Sequence, residues 1–356
     1  MTSVCRTGRP RALGWPFASA VLGAAALFLV PAAHVQSAEP ADRLWFCPGP
    51  GTLDYRRLFE HPEEWAHARQ LVSVFKFYQQ HTLTPADPIV GPNSYDALVR
   101  SDAFRRLTKW RKKIALEVGA VKEFYCTSDA SGMKAAIDAS IASVRAVRDA
   151  GGTVDYLAMD EPFAAGRSPV CGGPALEPTA ARVATYVSGV HAAFPTVRVG
   201  LIEAYPFSGE PAIESMLELL RVRGAAPAFL HVDADLNAIR APASDFTRDM
   251  TTLQAVCRTQ HIAFGIIIWG HDFDADALYT ADAGRLVNAL TAAFPNWAQM
   301  PDQMIVQSWA QTRSGLRITP ANLPEDRDYT HTNLLWQTYR RLRGQSGPVT
   351  GVAIPR

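Results

Sequence analysis

The sequence carries almost no net charge: 35 Lys and Arg against 34 Asp and Glu leave +1. Nucleic-acid binding needs a basic face, and no run of Lys or Arg here is dense enough to make one, so no nucleic-acid partner is expected. Cysteine is scarce, five in 356 residues. There is no Cys-x-x-Cys pair and no Cys/His cluster, which argues against a zinc site. A Gly-x-Gly-x-x-Gly phosphate loop is also missing after the first apolar run. "CPGPGTLDY" has the glycines but not their order, so the dinucleotide-binding fingerprint is excluded. Only one hydrophobic stretch, near the N-terminus, approaches the length of a membrane span.

That stretch reads as an export signal. Arg6, Arg9 and Arg11 precede "FASAVLGAAALFLVPAA", and Val35 and Ser37 sit at suitable spacing before a cut near Ala38. Residues 1–37 are therefore expected to be a signal peptide, which implies a periplasmic or secreted protein with no membrane contact beyond it. Cys5 would leave with the signal. Cys47, Cys126, Cys171 and Cys257 would remain in an oxidising compartment that permits disulfides. Cys126 and Cys171 both fall in loops after predicted strands and form the preferred pair.

What is present is a repeated unit. Short apolar runs alternate with amphipathic helical stretches from residue 43 onward. The predicted strands cover 43–49, 71–78, 113–121, 154–161, 197–205, 228–235, 263–270 and 304–310. They are continuously apolar, as in a parallel sheet covered by helices on its outer face. "DYRRLFEHPEEWAHARQ", "MKAAIDASIASVRAVRDAGG", "TAARVATYVSGVHAAFP", "DFTRDMTTLQAVCRTQ" and "AGRLVNALTAAFP" have apolar residues at helical spacing. Eight such units predict an α/β fold, a single (β/α)8 barrel over 38–345, closed by "NLLWQTYRRLRG" and followed by a tail at 346–356.

Chemistry in such a barrel collects at the C-terminal ends of the strands. Those ends offer Lys76 and Tyr78, Glu117, Asp160 and Glu161, and Glu203 and Tyr205. Further round come His231, Asp233 and Asp235, then Trp269, His271 and Asp272, and finally Gln307 and Trp309. A single acidic residue after a strand is most simply the cap of the next helix, and Lys76 could be an internal ion pair with Glu117. Five consecutive acidic ends are harder to explain by packing, because carboxylates gathered at one rim repel one another. Paired carboxylates of this kind suit glycosidic bond hydrolysis, in which one protonates the leaving oxygen and the other attacks or activates water. Trp269 and Trp309 would stack on sugar rings. The remaining strand-end polar residues, Lys76, Tyr78, Glu117, Tyr205, His231, His271 and Gln307, are expected to bind substrate.

"AMDEP" resembles the Asn-Glu-Pro motif on strand four of the large clan of retaining (β/α)8 glycoside hydrolases, and "SWA" resembles that clan's substrate-facing Trp on strand eight. The resemblance implies Glu161 as acid/base and Trp309 as a sugar contact. It departs at Asp160, where the clan has Asn, and at "IIIWGHD", where the clan keeps a nucleophilic Glu and the nearest carboxylate is Asp272. "DYLAMD" is also similar to the strand-four end of α-galactosidase-like barrels, which implies Asp160 as nucleophile and Asp233 or Asp235 as acid/base. A third pairing joins Glu161 to Glu203. The partner of Glu161 thus stays open among Glu203, Asp233, Asp235 and Asp272. Pro162 is expected to turn the chain away from the site, and the long loops after strands two and four could wall a cleft.

The leading expectation is an exported glycoside hydrolase acting on a polysaccharide or oligosaccharide, with no cofactor and no metal. The alternatives are a carbohydrate-binding barrel without catalysis, or a metal-dependent hydrolase built on "HVDAD" and "HDFDAD".

Overall fold

A computed structural model describes residues 42–124, 130–167, 175–240, 245–272, 274–309 and 320–344. The predicted signal, the Cys126–Cys171 pair and the C-terminal tail lie outside these residues. Eight parallel strands close into one barrel in sequence order: β1 Leu44–Cys47, β2 Val74–Tyr78, β3 Lys113–Val118, β4 Val154–Asp160, β5 Arg198–Tyr205, β6 Phe229–Ala234, β7 Ala263–Ile268 and β8 Gln303–Gln307. All eight predicted strands are present, and β8 returns to pair with β1, so no sheet edge is left open.

The outer layer is helical. Ala130–Asp149, Leu176–Ala193, Phe246–Thr259, Asp276–Ala293 and His331–Leu342 lie at the predicted places, and Glu210–Val222 is a further helix between β5 and β6. The expected helix over 54–70 is instead broken into Arg57–Glu60, a 3-10 turn at Pro62–Trp65 and Ala66–Leu71. Pro62 cannot donate the backbone hydrogen bond that a continuous helix would need there. Among the described residues, no helix is long and apolar enough to cross a membrane.

Strand side chains alternate between barrel interior and helical layer. Trp45, Tyr156 and Phe229 fill the lower interior, with Trp45 4.7 Å from Tyr156 and 5.5 Å from Phe229 between ring centroids. Gly200 and Gly265 make room for this filling. A Cβ at Gly200 would come within 2.5 Å of the Phe229 ring, and one at Gly265 within 2.6 Å of His231. The barrel is therefore a packed core below and open only above.

The lower end is closed by charge as well as by rings. The Asp42 carboxylate accepts from Lys113 Nζ at 2.6 Å, Tyr156 Oη at 2.5 Å and Arg198 at 3.4 Å. Arg198 also lies over the Tyr156 ring, 4.0 Å from its centroid.

Candidate active site

The upper end of the barrel holds a cleft of about 670 Å³. Alternation decides which strand-end residues reach it. On β5, Ile202 and Ala204 face the cleft, so Glu203 and Tyr205 must face the helices. Tyr205 is buried there and donates to Asp249 Oδ2 at 2.6 Å. Glu203 is fully buried and accepts from the backbone N–H groups of Phe163 (2.9 Å) and Ala164 (3.3 Å) and from Ser208 Oγ (3.3 Å). Reading Glu203 and Tyr205 as cleft groups took position along the strand as sufficient and overlooked the side of the sheet they occupy.

On β6 the interior set is His231 and Asp233, but only Asp233 lines the cleft. His231 lies a layer lower, buried, 2.7 Å from Gln303 Oε1 and edge-on to Trp45. Burial, reinforced by the charge of Lys76, pulls its pKa down to about 3. His231 is therefore a neutral core residue and does not meet substrate. Lys76 is also interior and wholly buried. It is 2.5 Å from Glu117 Oε2, so the internal ion pair is the arrangement present. Glu117 lines the cleft floor, where it also accepts from Gln307 Nε2 at 2.9 Å; that amide bonds Tyr78 Oη at 3.1 Å. Tyr78 and Gln307 line the cleft as well.

Strand four brings its two adjacent carboxylates to one place by leaving the strand. Asp160 continues the inward row of Tyr156 and Ala158, so by alternation Glu161 should point away. Instead Glu161 adopts a left-handed backbone, φ 43° and ψ 49°, which costs a non-glycine residue about 1–2 kcal/mol. The turn re-aims its side chain into the cleft. Lys122, on the short helix Ala120–Phe124, then reaches Asp160 Oδ2 at 2.7 Å and Glu161 Oε2 at 2.8 Å. Pro162 does not turn the chain away; it opens the short helix Pro162–Gly166 at its first position, where its missing N–H has no helical partner to lose.

Lys122 was not singled out in the sequence because the predicted strand three runs to Val121 and offers Glu117 as its end, whereas the strand ends at Val118 and Lys122 stands on the helix that follows. A cation one helical turn beyond a strand end was the only available signal. Burial alone would lower the Lys122 pKa, but Asp160 and Glu161 outweigh it and hold the ammonium well above its ordinary range.

The opposite wall carries Asp233, Asp235, Trp269 and Trp309. Asp233 Oδ1 is buried and accepts no hydrogen bond. Burial, then the charges of Glu161, Asp160 and Glu117, push its carboxyl well above the usual range. Asp235 binds its own loop, accepting from the N–H groups of Asn237 and Ala238 at 2.8 and 3.0 Å, and sits 3.2 Å from His271 Nε2. The rings of Trp269 and Trp309 lie 4.4 Å apart between centroids, and His271 packs on Trp269 at 3.8 Å. Asp272 caps its own loop through Asp274 N and does not line the cleft. Two apolar rim residues, Phe207 (67% exposed) and Ile89, were also missed.

The metal reading of "HVDAD" and "HDFDAD" is not assembled, since His231 and Asp272 both lie outside the cleft. Among the described residues, the one group of three metal-type ligands close enough to share an ion is His61, Glu63 and Glu64, far along the chain from these motifs.

No protein-family model and no curated protein sequence matches the chain. Solved structures do. A thermostable mutant of a xylanase (Xyn10A) from Cellvibrio japonicus is similar at 11% identity and a TM-score of 0.56, over 85% of this chain and 98% of the other. The catalytic domain of a beta-amylase from Paenibacillus polymyxa is similar at 8% identity and 0.51, over 87% and 100%. A glucosidase from Croceicoccus marinus follows at 12% and 0.51, over 85% and 68%. A chain described as an aldolase matches more weakly. The three former structures are (β/α)8 barrels of glycoside hydrolases, and at such identities the likeness shows that this chain shares their fold.

Proposed function

We propose that the protein is an exported glycoside hydrolase that cleaves glycosidic bonds in a polysaccharide or oligosaccharide. One observation carries the reading: a buried carboxyl with a free oxygen, Asp233, shares an aromatic-walled cleft with two carboxylates bound to a single ammonium. Glycoside hydrolysis needs a carboxylic acid and a carboxylate in one site, and environments that push two carboxyls apart assign the roles. Asp233, raised by burial and by its charged neighbours, is the proton donor. Glu161, in contact with Lys122, is the anion. This exchanges the role expected for Glu161 from its strand-four motif, because its carboxylate is bound to the Lys122 ammonium whereas Asp233 keeps an oxygen free.

In the reaction, the Asp233 proton passes to the glycosidic oxygen as the bond to the anomeric carbon breaks. Glu161 supplies negative charge to the developing oxocarbenium ion. The oxygen of an incoming water then bonds to the anomeric carbon as its proton passes to the Asp233 carboxylate, which gives the free sugar and restores the protonated Asp233. Asp160 and Lys122 hold sugar hydroxyls, and Trp269 and Trp309 pack against the apolar faces of the rings. Placement in the periplasm or outside the cell rests on the N-terminal signal pattern.

The test is release of reducing ends from a panel of bacterial and plant polysaccharides by wild type and by Glu161→Gln. Cleavage by wild type, with loss of about 10²- to 10⁴-fold in the folded variant, is expected; equal rates would overturn the assignment. A second reading is favoured by the end of β7, where Trp269 and Gly270 stand and no carboxylate lines the cleft. In that reading the barrel binds oligosaccharide without cutting it. Saturable binding with no new reducing ends after prolonged incubation would establish it.

A further inference from the structure

We infer that Glu203 is a positioning residue that holds Glu161 in the cleft from behind the barrel wall. The inference rests on the reading of Glu161 as the anionic group of a glycosidic site. Glu161 reaches the cleft only through its left-handed turn, and the segment after that turn is fastened at three points. Glu161 N donates to Ile202 O at 3.0 Å. Phe163 N and Ala164 N donate to separate oxygens of the Glu203 carboxylate at 2.9 and 3.3 Å.

Ser208 Oγ, from the loop that follows β5, braces the same carboxylate at 3.3 Å. Glu203 thus binds the two free N–H groups at the start of the Pro162–Gly166 helix, while its own side chain is locked by burial. Ile202 and Glu203 are adjacent on β5, so one short segment of that strand fixes both sides of the turn. Glu203 does not line the cleft, and the hydrogen bonds that tie it to Glu161 run through the backbone of residues 161–164.

A residue with a merely structural role would lower stability and leave the turnover of the folded protein unchanged. Positioning predicts a split, tested with Glu203→Gln, which keeps the shape but puts an NH₂ group where Ala164 N needs an acceptor. Tyr205→Phe, two residues along on the same outward face, removes a buried bond that does not involve the turn. Glu203→Gln should lower kcat by about 10- to 100-fold with KM within about twofold. In its crystal structure Glu161 should leave the left-handed region and part from Lys122. Tyr205→Phe should lower the melting temperature more than Glu203→Gln does and leave kcat unchanged.

If Glu203→Gln does not fold, Glu203→Asp, which keeps the carboxyl group but withdraws it by one methylene, replaces it with the same expectations. Glu161 remaining left-handed and paired with Lys122 in whichever variant folds would overturn the inference. If the wild type cleaves no polysaccharide, the glycosidase reading fails while the crystal structure of the variant still decides the role of Glu203.

Discussion

The two ends of this barrel both gather carboxylates, cations and aromatic rings, and they use them in opposite ways. At the lower end, Asp42 is bound by Lys113, Tyr156 and Arg198, and Arg198 covers the Tyr156 ring. At the upper end, five carboxyl side chains line the cleft with one lysine, and Asp233 keeps a buried oxygen without a partner. A buried polar group left unsatisfied costs about 1–3 kcal/mol, a cost that the open Asp233 oxygen carries and the Asp42 cluster does not. The lower cluster is a finished ionic plug. The upper one leaves bonding capacity open on the cleft side. Charge content does not separate the two ends; completeness of bonding does.

The comparison breaks most sharply at Asp233. Asp233→Asn should cut polysaccharide turnover by roughly 10²- to 10⁴-fold while leaving the unfolding midpoint unchanged or higher, because it removes a carboxyl strained by its neighbours. Steady-state rates and urea unfolding on the same preparation check both halves. Asp42→Ala should do the reverse. It should cost about 1–3 kcal/mol of stability, less than a fully buried pair because Lys113 and Arg198 keep some solvent, with kcat preserved below the transition. Denaturant curves at a fixed temperature measure this.

A smaller effect belongs to the wall between the ends. His331 is buried against Phe46 and Tyr279, with neither ring nitrogen bonded. Burial lowers its pKa to about 3. The unfolded chain therefore binds a proton that the folded one refuses. This contribution to stability is complete above pH 6.5 and fades as pH falls toward 3, by about 1.4 kcal/mol per pH unit. His331→Phe should flatten that part of the acid limb; an unchanged slope between pH 6.5 and 5 would show that the ring is protonated in the fold.

Much of this was legible in the sequence. The eight apolar runs and the helices between them follow from period alone, because a parallel strand covered on both faces must be continuously apolar. The grouping of Glu117, Asp160, Glu161, Asp233 and Asp235 at one rim follows from the same layout. What escaped was the side on which each residue stands. Glu203 and Tyr205 occupy strand-end positions yet face outward, while Glu161 has the outward parity and is turned in by a backbone conformation that no residue type announces. His231 has the right parity but the wrong height. Asp42 and Lys122 lie outside the strands, and only three-dimensional proximity gives them partners.

The most direct test of the central claim is the leaving-group dependence of Asp233→Asn. A proton donor is indispensable for a sugar leaving group and dispensable for a dinitrophenolate, which departs without protonation. Asp233→Asn should lose cleavage of the polysaccharide but keep kcat/KM for the dinitrophenyl glycoside of the same sugar, which reports bond breaking and not the later proton uptake from water, within about tenfold of wild type. Glu161→Gln should fail on both. Equal losses on the two substrates for Asp233→Asn, or full activity on the polysaccharide, would contradict the assignment of Asp233 as the acid.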